Sequence, residues 1–353
     1  CLMLLFGIGS TLMFALGIEA KQDAWAAIII AMIAGVGLIW IYTQIQKHFP
    51  QKNLVEILVI ALGKPLAIPL SVLYALGFFY TTQFIFREFG EMIAMTFLQK
   101  TPVSVILAFF LITSLFILAL GLEPLSRLSE LSMIIVIVFI ISTYLLVIIS
   151  GNAHISELKP VLGSGIAPVI KAAYPIVVVL PFGESIVFLM YFKYVKLHDS
   201  IRKISILATI ASGIMLTFTL LIILTSLGVD YATYTTIPVI KVIKLINVAS
   251  FLTKLDAVGI MIFFICGFFK MTLLLYASVL IFCTIFKIKK RIWVLFIVSI
   301  ILFITTGIFQ KSFPFHLWEG KKSVQTLIYP STEIFIPVLL ALIIWVKRKL
   351  KLV

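Results

Sequence analysis

The apolar residues of this chain fall into about ten separate blocks, and two of those blocks are interrupted near their middles. The interruptions are Gly7-Ile8-Gly9-Ser10 in the first block and Leu180-Pro181-Phe182-Gly183-Glu184 in the sixth. A bilayer offers no water to free backbone groups, so a broken helix survives there only where it is buried in protein or lines a cavity. Two breaks in corresponding positions of two halves predict a ligand site near the midplane.

Composition removes the alternatives. The 353 residues are 62% hydrophobic and 12% charged, against about 25% charged in a soluble domain. The blocks are too long and too continuous for the alternating strands of a membrane barrel. The chain is therefore read as an all-α polytopic membrane protein. Spans are predicted over 2–18, 25–46, 66–90, 103–120, 131–150, 168–192, 204–227, 256–286, 292–309 and 332–347, the first and last being marginal in length. Residue 1 is cysteine and a span begins at once, which predicts a native N-terminus further upstream.

Lysine and arginine predict the orientation. They crowd the connection after the sixth span (Lys193, Lys196, Arg202, Lys203), the connection after the eighth (Lys287, Lys289, Lys290, Arg291) and the tail (Lys347, Arg348, Lys349). Ten spans with both termini cytoplasmic satisfy this pattern best. Gly9 and Gly183 stand half a chain apart, and five spans per half place the halves in opposite orientation. The reading is one transporter-like domain over 1–353, with a five-plus-five inverted repeat roughly over 1–150 and 168–347 and with helices 1 and 6 broken. Residues 237–247 predict a short amphipathic surface helix with Lys241, Lys244 and Asn247 on one side.

Several residue types in the spans carry chemistry. Gly7 and Gly9 predict an unwound first helix, where backbone N–H groups and the Ser10 hydroxyl face a ligand carboxylate. Pro181 removes a backbone donor and Gly183 loosens the same turn. Glu184 and Lys270 lie deep in their spans, where charges are costly and normally pair or line a cavity. Tyr80 and Phe84 share a helix face and are candidate cavity-wall residues; Arg87 and Glu91, one turn apart, read as an anchor at the membrane interface. Thr272 and Tyr276 share a face of the eighth span turned away from Lys270. No nucleophile–base set, phosphate-binding loop or metal-ligand cluster is present, so neither enzymatic activity nor a cofactor is predicted. The formal charge of +14 has no soluble basic face to support nucleic-acid binding.

Three strings carry a family resemblance: Ala20-Lys21-Gln22-Asp23-Ala24-Trp25 after the first span, Pro181-Phe182-Gly183-Glu184 in the sixth, and Gly267-Phe268-Phe269-Lys270 in the eighth. Together the chain resembles the spore germination permease-like proteins, the B subunits of germinant receptors. The resemblance implies membership of the amino acid–polyamine–organocation transporter superfamily. It also implies a germinant pocket between spans one, three, six and eight, and residence in the spore inner membrane beside an A subunit and a lipoprotein C subunit. By position, Gly7, Gly9, Tyr80, Phe84 and Thr272 are carried over as pocket residues, as are Leu180, Pro181, Phe182 and Gly183. A germinant-sensing subunit that binds a small nutrient, an amino acid, is the expected function. A proton-coupled amino-acid permease with Glu184 as the titrating group is the alternative.

Overall fold

The computed structural model describes residues 1–246, 255–309 and 328–350; side chains of 255–257 and 309 are outside the description, as is Asn247. Among the described residues twelve α-helices follow one another. They are α1 Leu2–Ile8, α2 Ala24–His48, α3 Leu54–Leu62, α4 Lys64–Thr96, α5 Val103–Leu120 and α6 Leu122–Ile149. Then come α7 Ala167–Ala172, α8 Ile201–Tyr234, α9 Pro238–Leu245, α10 Leu255–Ile285, α11 Arg291–Phe309 and α12 Ile336–Lys349. No strand occurs among the described residues. Eight helical stretches are long and apolar enough to cross a membrane, and the shorter Leu2–Met13 adds an apolar helix at the start. The fold is that of an all-α polytopic membrane protein.

Differences from the sequence reading lie at the polar ends of helices. α4 runs to Thr96 and α6 begins at Leu122, because helical hydrogen bonding extends through Arg87–Glu91 beyond the apolar run of α4 and through Glu123–Glu130 ahead of that of α6. A helix also fills the connection after α2. Asn53 caps α3 by accepting from the Glu56 N–H at 3.0 Å, and its own N–H donates to Glu56 Oε2 at 2.8 Å. With nine residues, α3 is too short to span.

The chain forms two compact units, and each draws on both halves of the sequence. The first contains 1–36, 126–182 and 208–269; the second contains 37–125, 183–207 and 270–353. In the first, α1 approaches α8 closely: a Cβ built on Gly7 would lie 2.8 Å from Ser212 Oγ. The Tyr144 hydroxyl ties α6 to α8 by donating to the Met215 carbonyl at 2.9 Å. In the second, α4, α5 and α11 pack together, with Phe86 and Phe110 rings 5.6 Å apart.

Candidate functional site

Both predicted breaks are present. In the first unit α1 stops at Ile8, and Gly9 adopts φ 36, ψ −134, in the positive-φ region that glycine enters at least cost. A single 3₁₀ turn follows over Thr11–Met13, then extended backbone at Phe14. The two glycines thus have separate jobs. Gly7 stays helical and admits Ser212, whereas Gly9 turns the chain. Ser10 and Thr11 are buried, and Thr11 Oγ1 has no hydrogen-bond partner among the described residues. A buried hydroxyl without a partner is costly. The surface helix is present as α9, which packs on Thr11–Met13. It buries Val239, Val242, Ile243 and also Ile240, which the periodicity places among the polar positions.

The sixth segment breaks in two places. α7 gives way to a π-type stretch over Ala173–Phe182, with non-helical backbone at Tyr174 (φ −112, ψ 136) and Leu180 (φ −103, ψ 111). Pro175 and Pro181 explain it, since each removes an N–H that an α-helix would need. Pro181 and Phe182 are buried and Leu180 is half-buried. A Cβ on Gly35 would lie 2.6 Å from Phe182, so α2 needs glycine where that ring packs. The Gln22-Asp23 part of the first family string holds the loop before α7. Asp23 Oδ1 accepts the Leu162 N–H at 2.8 Å, and Gln22 donates to the Pro160 carbonyl at 3.0 Å.

In the second unit the chain resumes at Gly183 as a 3₁₀ segment reaching Met190. Glu184 meets Lys270 of α10, Oε2 to Nζ, at 2.5 Å, and each side chain is 2% exposed. The two costly charges that the sequence places deep in its spans are therefore one ion pair. A third charge that the sequence reading passed over joins them. Glu333 sits in a π-type stretch, Ser331–Phe335, at the entry to α12. A Cβ on Gly183 would lie 2.6 Å from its Oε2. Glu333 is 5% exposed, and its Oε2 has no hydrogen-bond donor among the described residues.

Pro337 accounts for the local distortion. In an α-helix the Glu333 carbonyl would accept from residue 337, which as proline has no N–H. The hydroxyl of Tyr42, fully buried on α2, donates to that carbonyl instead and also lies 3.2 Å from the Gly183 carbonyl. On α4, the Tyr74 hydroxyl donates to the Thr332 carbonyl at 2.5 Å, and Thr81 shares a 2.7 Å hydrogen bond with the Tyr329 hydroxyl.

These residues border a cavity of about 210 Å³. Its wall includes Tyr74, Tyr80, Thr81, Tyr329 and Glu333. The structure thus brings the predicted residue Tyr80 to a cavity. Phe84, one turn further on, is half-buried outside its lining. Thr272 is fully buried and donates to Ser114 on α5 at 3.2 Å, facing away from the Glu184–Lys270 pair as its helical angle requires. Arg87 and Glu91 pair with side chains 14% and 12% exposed, more buried than an interfacial anchor.

A family model described as "Spore germination protein" matches residues 1–314. The chain belongs to the spore germination protein family. It is 30% identical over 349 residues to Spore germination protein KB of Bacillus subtilis, which covers 99% of this chain and 94% of that protein. Shorter stretches resemble two further B. subtilis proteins. Spore germination protein A2 is 28% identical over 151 residues, 42% of this chain and 40% of that protein. Spore germination protein YndE is 26% identical over 151 residues, 43% of this chain and 41% of that protein. The germination-family chain is thus an integral membrane protein with a broken first and sixth segment.

Proposed function

We propose that the chain is the germinant-sensing membrane subunit of a spore germination receptor and binds a small nutrient, an amino acid. The observation that carries this reading is the cavity whose wall includes Glu333. Its 210 Å³ is below the roughly 300 Å³ at which drug-sized ligand pockets begin, which suits a nutrient of a few heavy atoms. An ammonium group would supply the donors that Glu333 Oε2 lacks, and the aromatic walls at Tyr74, Tyr80 and Tyr329 would take an apolar side chain. In the first unit the break at Gly9 is a polar place of its own, where Ser10, the Thr11 hydroxyl and the N–H groups opening the 3₁₀ turn suit a carboxylate or hydroxyl.

Binding shifts a population only through its preference for one arrangement of the protein, and each tenfold shift takes about 1.4 kcal/mol of that preference. The signal passes to an A subunit and a lipoprotein C subunit in the spore inner membrane, with both termini of this chain cytoplasmic. A proton-coupled permease is the competing reading, favoured by a second buried carboxyl beside Glu184. Reconstituted vesicles holding the purified chain separate the two. A sensor binds amino acids without accumulating them. Concentrative uptake driven by a pH gradient and abolished by Glu184→Gln identifies a permease.

A further inference from the structure

We infer that the second unit carries a binding site for one anionic phospholipid at the turn between α10 and α11, apart from the nutrient cavity. The turn borders two recesses. One is a polar recess of about 190 Å³, walled by Asn53 and Glu56 of α3, by Lys193 and Tyr194, and by Lys287 and Arg291. The other is an apolar groove of about 500 Å³ between Ile112, Leu115 and Phe116 of α5 and Ile292, Trp293 and Phe296 of α11. Arg291 and Ile292 are consecutive, so the first turn of α11 serves both recesses.

The charges of the polar recess are unequal. Glu56 is its single acid, and it is already engaged by Lys193 at 3.6 Å and Lys52 at 3.8 Å. No carboxylate among the described residues pairs with Lys287 or Arg291; the guanidinium reaches the Tyr194 hydroxyl at 3.3 Å. A recess with two cations left over selects an anion. Orientation by the positive-inside pattern accounts for basic residues in this connection but not for their convergence on a recess beside Glu56.

The groove supplies the rest of the ligand. Phe116 is 66% exposed and Trp293 63%, so its rim faces the membrane, and indole rings favour the depth where head groups meet acyl chains. A phosphodiester on Lys287 and Arg291 with an acyl chain along α5 and α11 fits both recesses. A free phosphate would use only one.

The test uses the full chain in detergent, with thermal shift and native mass spectrometry against phosphatidylglycerol, phosphatidylcholine and glycerol 3-phosphate. The site predicts preferential retention of phosphatidylglycerol, weakened about tenfold in Lys287→Gln/Arg291→Gln and unchanged in Lys241→Gln/Lys244→Gln. Equal retention of the two lipids by the unmodified chain overturns the proposal. Glycerol 3-phosphate as effective as the lipid overturns it as well, by assigning the recess to a soluble anion. Should the double variant fail to fold, salt titration of the unmodified chain decides. Phosphatidylglycerol retention falls with ionic strength if the site exists, and salt-independent retention contradicts it.

Discussion

The break at Gly9 and the break at Gly183 solve the same problem with different chemistry. At Gly9 the chain turns on a positive-φ backbone conformation that glycine adopts most readily. One buried hydroxyl there, Thr11 Oγ1, is left without a hydrogen-bond partner among the described residues. At Gly183 the disruption begins with prolines, Pro181 before it and Pro337 beyond Glu333, and is repaired by side chains from distant segments. Tyr42 and Tyr74 donate to carbonyls around Glu333, while Glu184 and Lys270 neutralise each other. The first break depends on the absence of side chains and the second on their presence, so the two fail differently under mutation.

The largest expected effect is at the second break. Lys270→Met leaves Glu184 buried without its partner and should cost about 3–5 kcal/mol, read as a fall in the melting temperature of the detergent-solubilised chain. The double change Glu184→Gln/Lys270→Met should recover more than half of that loss. A single variant as stable as the parent would remove the contrast between the breaks. Tyr42→Phe comes next. It strips the donor from the Glu333 carbonyl and should cost about 1–3 kcal/mol in the same melt. Gly9→Ala forces a β-carbon into the φ 36 conformation, for which about 1–3 kcal/mol is expected with no change at the Glu184–Lys270 pair. Smallest is Thr11→Val, which replaces an unpartnered hydroxyl by a methyl group. It should alter stability by less than about 0.5 kcal/mol, while a hydroxyl that contacts nutrient would show itself as weakened binding.

Local signals in the sequence were informative where one residue type dictates backbone geometry. Gly9 and Pro181 each mark their break, because loss of a side chain or of an N–H acts on the turn that contains it. The amphipathic pattern around Lys241 likewise gives α9 directly. Lys270 and Glu184 are legible as costly charges, but their pairing is a distance that no spacing encodes. Glu333 was missed because it stands near the predicted start of a span, where an acid looks tolerable. Its burial comes from Tyr42, Tyr74 and Gly183, all remote in sequence. Tyr42 and Tyr74 give no local signal for the same reason: a hydroxyl finds its acceptor only once Pro337 has freed a carbonyl elsewhere in the chain. Gly7 was grouped with Gly9 by proximity, although Ser212 shows that it serves close helix approach.

The most direct test of the nutrient-sensing account is a thermal-shift titration of the purified chain with amino acids, comparing the parent protein with Glu333→Gln. The account predicts that at least one amino acid raises the parent's melting temperature. It predicts that Glu333→Gln, which keeps the shape and removes the carboxylate, is at least as stable without ligand yet loses that response. An undiminished response in Glu333→Gln, or none to any amino acid in the parent, would contradict it.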